Sequence, residues 1–264
     1  SPNPNTIAAS EAFGIDLTAL MVKNLIPAFV ALFVAIILSG LLAKKGGAHE
    51  FDGIDEAGTS GVSLSFFKAM LGQIVVIALL ALRSIAGISV DPLIALPLGG
   101  LVTIVVTGNA KNTVEFTEFG LSKVIGVSIL LIGTGTIAGI IKASALQVDM
   151  IALLEAMNMP AFVLAPLSGI LMGAATASTT AGSTIASQTF SGPLTAAGVP
   201  AVSAAAMIHA GATVLDSLPH GSFFHATGGS VFMAIEDRMK LIPYEAIVGL
   251  SSTIVATILY LIGF

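Results

Sequence analysis

Residues 214–230 read VLDSLPHGSFFHATGGS, and the interpretation of this stretch decides the fold. An Asp, two His, a Pro and several hydroxyls stand between long apolar runs. In the surrounding chain 55% of residues are hydrophobic and 9% charged, against about a quarter charged in an average soluble domain. That composition predicts a membrane protein. In a bilayer, backbone that leaves the helix has no water to bond, and it is tolerated only where it is buried in protein or lines a cavity. The run from Pro200 to about Glu236 exceeds the ~20 residues of one crossing. It is therefore expected to be a helix that unwinds near DSLPHGS (216–222) and resumes.

The preceding run has the same character. PAFVLAPLSGILMGAATASTTAGSTIASQTF (160–190) is too long for one crossing and polar in its middle, which predicts a second broken helix with its interruption at TASTT (176–180). Further towards the N-terminus, NLIPAFVALFVAIILSGLLA (24–43) has the length and apolarity of a full span and is followed by Lys44 and Lys45. The positive-inside rule places that end in the cytoplasm. A Gly-rich acidic loop over 46–63, spans beginning near Phe66 and Asp91, and a final span over 247–261 complete the path. Residues 124–142, VIGVSILLIGTGTIAGIIK, are interrupted by glycines. A re-entrant hairpin is expected there, with one glycine-packed span as the alternative.

A repeat is visible in this order of segments. SPNPNT (1–6) precedes an amphipathic stretch and then KNLIP (23–27); DSLPHGS precedes another and then KLIP (240–243). The separation from tip Pro to span Pro matches to within one residue. This predicts an inverted-repeat arrangement, in which 1–16 is the polar tip of a truncated first repeat, 17–45 a span, and 64–264 a second repeat.

Several chemistries are set aside. There is no Cys, so disulfides, thiolate metal sites and thiol nucleophiles are excluded. No basic face suggests nucleic acid, and the net charge is -5. Gly133, Gly135 and Gly139 miss the GxGxxG spacing, while HExxH and GxSxG are missing. No enzyme, metal or cofactor is expected. The residues that remain suit transport. Thr176, Ser178, Thr179, Thr180 and Ser183 would surround a half-helix N-terminus, where free N–H groups and the dipole favour an anion; close helix packing is the alternative use of such residues. Asp216 is a carboxylate at membrane depth, which is costly and usually functional. His220 follows it by four residues, and His209 precedes it by seven, on the same face of a continuous helix. A proton relay or a hydrogen-bonded tip are the two uses open to this trio. His225 is expected to be a satisfied half-helix residue.

GAATASTTAGSTIAS followed by AGATVLDSLPHGS resembles the second half of the gluconate permease family of proton symporters, whose members carry a TAS(S/T)T break and a GxLDxLPHxG break in that order. SPNPNTIAAS resembles that family's earlier Pro-Pro-polar tip, and GTGTIAG its Gly-rich re-entrant segment. The likeness covers nearly the whole chain, and family members extend further at the N-terminus. It implies an all-α polytopic inner-membrane protein, an inverted-repeat secondary transporter with a re-entrant hairpin and broken helices. It would carry gluconate, other sugar acids or hydroxycarboxylates with protons, and a homo-oligomer is compatible with it. By position it places Asn3, Asn5, Thr6, Asp216, Ser217, His220 and Gly221 on the substrate path with the TASTT hydroxyls; Ser222 is counted with them, and Asp216, tuned by His220 or His209, is expected to couple proton movement. Many relatives have Asn-Gly after the His where this chain has Gly221 and Ser222, so the particular acid is left open. A channel, a membrane scaffold, or uptake of another carboxylate with another ion are the competing functions.

Overall fold

The computed structural model describes residues 3–45, 65–88, 90–231 and 233–264. These are helical with no strand among the described residues, and they fall into two compact units, Ala43–Val127 and Pro2–Leu42 with Ser128–Phe264. The acidic loop expected over 46–63 and the first two residues of the N-terminal tip lie outside the described residues.

The larger unit opens with two short helices, α1 (Pro4–Phe13) and α2 (Leu17–Lys23), and a long one, α3 (Leu25–Lys45). Asn3 starts α1 as a capping box: its Oδ1 accepts the Thr6 N–H at 2.9 Å, and Thr6 Oγ1 accepts the Asn3 N–H at 3.2 Å. Pro4, at the first helical position, has no N–H to leave unsatisfied. Gly14 ends the helix with φ 62°, a left-handed conformation that suits glycine.

α3 is 21 residues long and almost wholly apolar. Its side chains project outward, with Phe29 67% and Phe33 63% exposed. An apolar surface of that extent belongs in hydrocarbon rather than water. The segments Leu17–Ala43 and Ile235–Leu261 are long and apolar enough to cross a membrane.

In the smaller unit α4 (Phe66–Ala86) packs on α5 (Pro92–Val106) through glycine. A Cβ on Gly72 would lie 2.3 Å from the Gly99 carbonyl oxygen, so the two backbones touch.

α6 (Thr113–Ala143) overturns one expectation. It is a single helix of 31 residues running straight through 124–142, where a re-entrant hairpin was expected. A glycine costs a helix only ~1 kcal/mol relative to Ala, and no Pro interrupts the N–H ladder here. One continuous helix is the alternative expected there, and within the chain a Cβ at Gly133 or Gly139 would meet nothing within 4 Å.

α7 (Leu146–Ala156) leads to α8 (Leu164–Thr176) and α9 (Thr179–Ala196). The interruption lies at TASTT, but the chain folds back there instead of continuing. Ala177 adopts φ 43°, and a Cβ on Gly182 would be 2.6 Å from the Gly173 Cα. Residues nine apart touch this closely only if α8 and α9 are the arms of a hairpin, since along one straight helix they would be about 13 Å apart. The straight-through broken helix expected over 160–190 is corrected accordingly.

α10 (Ala201–Ala212) lies against both arms. Gly169 and Gly173 on α8 form a GxxxG seam: added Cβ atoms would sit 2.3 Å from the Ile208 carbonyl oxygen and 2.6 Å from that of Ala212. Small residues allow such backbone contact between membrane helices. Ile185, Phe190, Leu194, Met207 and Ile208 complete this core. Gly182→Ala is expected to cost about 1–3 kcal/mol, because the atoms in its way are Gly173 backbone and cannot move aside as a side chain would. Thermal unfolding of the purified protein in detergent measures this, and an unchanged midpoint would contradict the hairpin.

After α10 the backbone leaves the helix over 213–221 and resumes as α11 (Ser222–Ser230), followed by α12 (Ile235–Met239) and α13 (Ile242–Leu261). The order short, shorter, long repeats: α1 to α3 have 10, 7 and 21 residues, α11 to α13 have 9, 5 and 20. Each long helix carries Ile-Pro in its first turn.

Candidate functional site

The two interruptions meet. Thr179, at the start of α9, donates its hydroxyl to Asp216 Oδ2. A Cβ on Gly221 would lie 2.3 Å from the Ala177 carbonyl oxygen, so the two non-helical segments also touch through backbone. Ser178 caps α9 by accepting the Ala181 N–H at 3.3 Å. Thr176 donates to the Met172 carbonyl at 2.7 Å and closes the end of α8. Asp216 thus stands beside a helix N-terminus, where a negative charge is favoured.

A cavity of about 500 Å³ opens at Asp216. One wall comes from the start of α3, with Pro27, Ala28, Ala31 and Ala35. Phe223, Val248 and Gly249 add to the apolar lining, and the polar members are Asn24 just before α3, His209, Thr213, Asp216 and Ser217 from α10 and its unwound end, and Glu245 and Ser252 from α13. Three of these present buried atoms without a protein partner: Asn24 Nδ2, His209 Nε2 and Ser217 Oγ. Buried polar groups are nearly always paired. The three residues line the cavity, while these particular atoms lie beneath its surface.

Glu245 is held from behind. Arg238, 3% exposed, pairs with it in bidentate fashion, Nη1 to Oε2 at 2.9 Å and Nη2 to Oε1 at 2.8 Å. The same guanidinium donates Nε to Thr227 Oγ1 at 3.1 Å and lies 5.0 Å from the Phe224 ring centroid. It therefore joins α11, α12 and α13. In the loop that carries Asp216, Gly221 N–H bonds the Leu218 carbonyl at 2.9 Å, and His225 Nε2 lies 2.8 Å from the Pro219 carbonyl oxygen.

The sequence-derived residues divide into three groups. Asp216, Ser217 and His209 share the cavity. Thr176, Ser178, Thr179 and Gly221 form the junction beside it, with Thr180 and buried Ser183 in the first turns of α9. His220 and Ser222 are exposed at the loop and do not line the cavity. Asn3 and Thr6 are engaged in the α1 capping box with Asn5 in the turn they cap, and α1 packs on α9 and α10 without reaching the cavity wall.

Sequence reasoning missed Glu245, Asn24, Ser252 and the role of Arg238. A carboxylate in the first turn of an apolar helix, at KLIPYE, was the available signal for Glu245.

No protein-family model matches the chain, and no solved structure matches it. A curated protein of Haemophilus influenzae described as an uncharacterized transporter is 49% identical over 260 residues, 98% of this chain. The chain spans 62% of that relative's length.

Proposed function

We propose that the protein is a multi-pass carrier of the plasma (inner) membrane that takes up small organic anions, such as gluconate, other sugar acids or hydroxycarboxylates, together with protons. The observation that carries this reading is the junction of two helix interruptions at Thr179 and Asp216, beside a cavity lined by Asp216, Ser217, His209 and Glu245. The printed description of the Haemophilus relative agrees with a transport role.

The chemistry follows from the groups present. The α9 N-terminus and its hydroxyls favour the substrate carboxylate. Asp216 stands next to that position, and two negative charges so close repel, so Asp216 takes up a proton when the anion arrives. That is symport in its simplest form. His209, on the same cavity, is placed to tune Asp216. Release requires the cavity to open to the other side, by one set of helices rocking against the other as in inverted-repeat carriers.

Proteoliposomes containing the intact protein test the proposal. Sugar-acid uptake is expected to saturate and to be driven by an imposed inward proton gradient. Uptake indifferent to that gradient overturns the coupling, and conductance without saturation identifies a channel.

A further inference from the structure

Asp216 and Glu245 are the carboxylates of the cavity, and no Lys or Arg lines it among the described residues. The nearest guanidinium, Arg238, lies behind Glu245 and is neutralised by it through two short contacts. The pair is anchored on both sides, by Thr227 and Phe224 for Arg238 and by the first turn of α13 for Glu245. A wall built in this way offers an incoming anion a carboxylate in front and a cation out of reach.

We infer that Glu245, positioned by Arg238, is a charge filter that makes the cavity select a hydroxylated monocarboxylate over the matching dicarboxylate. The inference rests on the anion-carrier proposal above. A ligand with one carboxylate directs it toward the junction beside the α9 N-terminus, and its hydroxyls lie among the polar side chains that line the cavity, Asn24, Thr213, Ser217 and Ser252. A ligand carrying a second carboxylate brings that charge into a space of about 500 Å³ whose remaining fixed charge is negative or already paired. Like charges juxtaposed without a compensating partner suppress the wrong ligand. The titratable and charged groups that bear on Glu245 are Asp216 and His209 across the cavity and Arg238 on α12.

Gluconate and glucarate differ only in that the terminal alcohol of the first is a second carboxylate in the other, so they form a matched pair of probes. Thermal stabilisation of the purified intact protein by each, over a concentration series, reads the filter. The wild type is expected to respond to gluconate and at least about tenfold more weakly to glucarate. Glu245→Gln leaves the Arg238 charge unopposed and is expected to erase that preference. Arg238→Gln leaves Glu245 unopposed and is expected to weaken both ligands. If the two variants shift binding in the same direction, the pair is merely structural and the inference fails. The double variant Arg238→Gln with Glu245→Gln removes both charges and is expected to lose the wild-type preference; a preference that persists there also overturns the inference. A wild type that responds to neither acid refutes the underlying carrier proposal, whereas one that binds gluconate with an unaltered preference in Glu245→Gln refutes the filter alone.

Discussion

Asp216→Asn is expected to abolish accumulation of sugar acid driven by a proton gradient, bringing it down to the level of protein-free liposomes, while exchange of labelled for unlabelled substrate at equal pH continues. The amide keeps the size of the carboxylate, and its oxygen can still accept the Thr179 hydroxyl. The junction of the two interruptions therefore survives. What disappears is the group proposed to gain and lose a proton beside the α9 N-terminus. Binding and exchange need the shape of the site, whereas uphill accumulation needs the proton. A variant that accumulates substrate with unchanged dependence on the gradient would show that Asp216 is a structural residue of the loop. The parallel variant His209→Gln separates the two groups: accumulation is expected to slow but persist, because the imidazole tunes Asp216.

At TASTT and DSLPHGS the end of the helix was legible in the sequence; how the chain turns there was not. A polar cluster with Pro, such as DSLPHGS, says that the ladder of backbone hydrogen bonds ends, since the alternative is unpaired backbone at membrane depth. It carries no direction. The fold-back at TASTT depends on a left-handed Ala177 and on the facing pair Gly173 and Gly182, contacts that helical periodicity does not express. The opposite error at 124–142 has the same root. Glycines there were read as a break, although glycine alone weakens a helix only slightly, and the structure continues the helix through all of them. The seam of Gly169 and Gly173 could have been read from its spacing of four.

For the site, Asp216 and His209 were found because an ionisable group in an apolar run is conspicuous. Arg238 stands near Lys240, and by the positive-inside rule two basic residues at the start of a span read simply as a cytoplasmic end. The structure instead buries Arg238 against Phe224 and leaves Lys240 exposed, paired to Asp237 at 2.8 Å. Arg238 and Glu245 are seven residues apart across a helix boundary, so no helical register joins them before the fold is known.

That burial sets the scale of the largest stability effect. Arg238→Met keeps most of the side-chain volume and the contact with Phe224, but removes the bidentate partner of Glu245 and the donor to Thr227. Breaking a buried ion pair from one side costs ~3–5 kcal/mol, because the remaining charge is stranded. Glu245 is 33% exposed and recovers some hydration, which places the expected loss near the lower end, at about 3 kcal/mol. Thermal unfolding in detergent measures it. Adding Glu245→Leu to the same chain is expected to restore most of the stability, since an apolar pair of similar volume leaves nothing unpaired. A single variant that costs less than about 1 kcal/mol would mean the pair behaves as a solvated surface bridge. The doubly apolar variant would then be stable yet poor at distinguishing charged ligands, and it separates the two uses of the same contact: holding α11 to α13, and fixing the sign of the wall that the substrate meets.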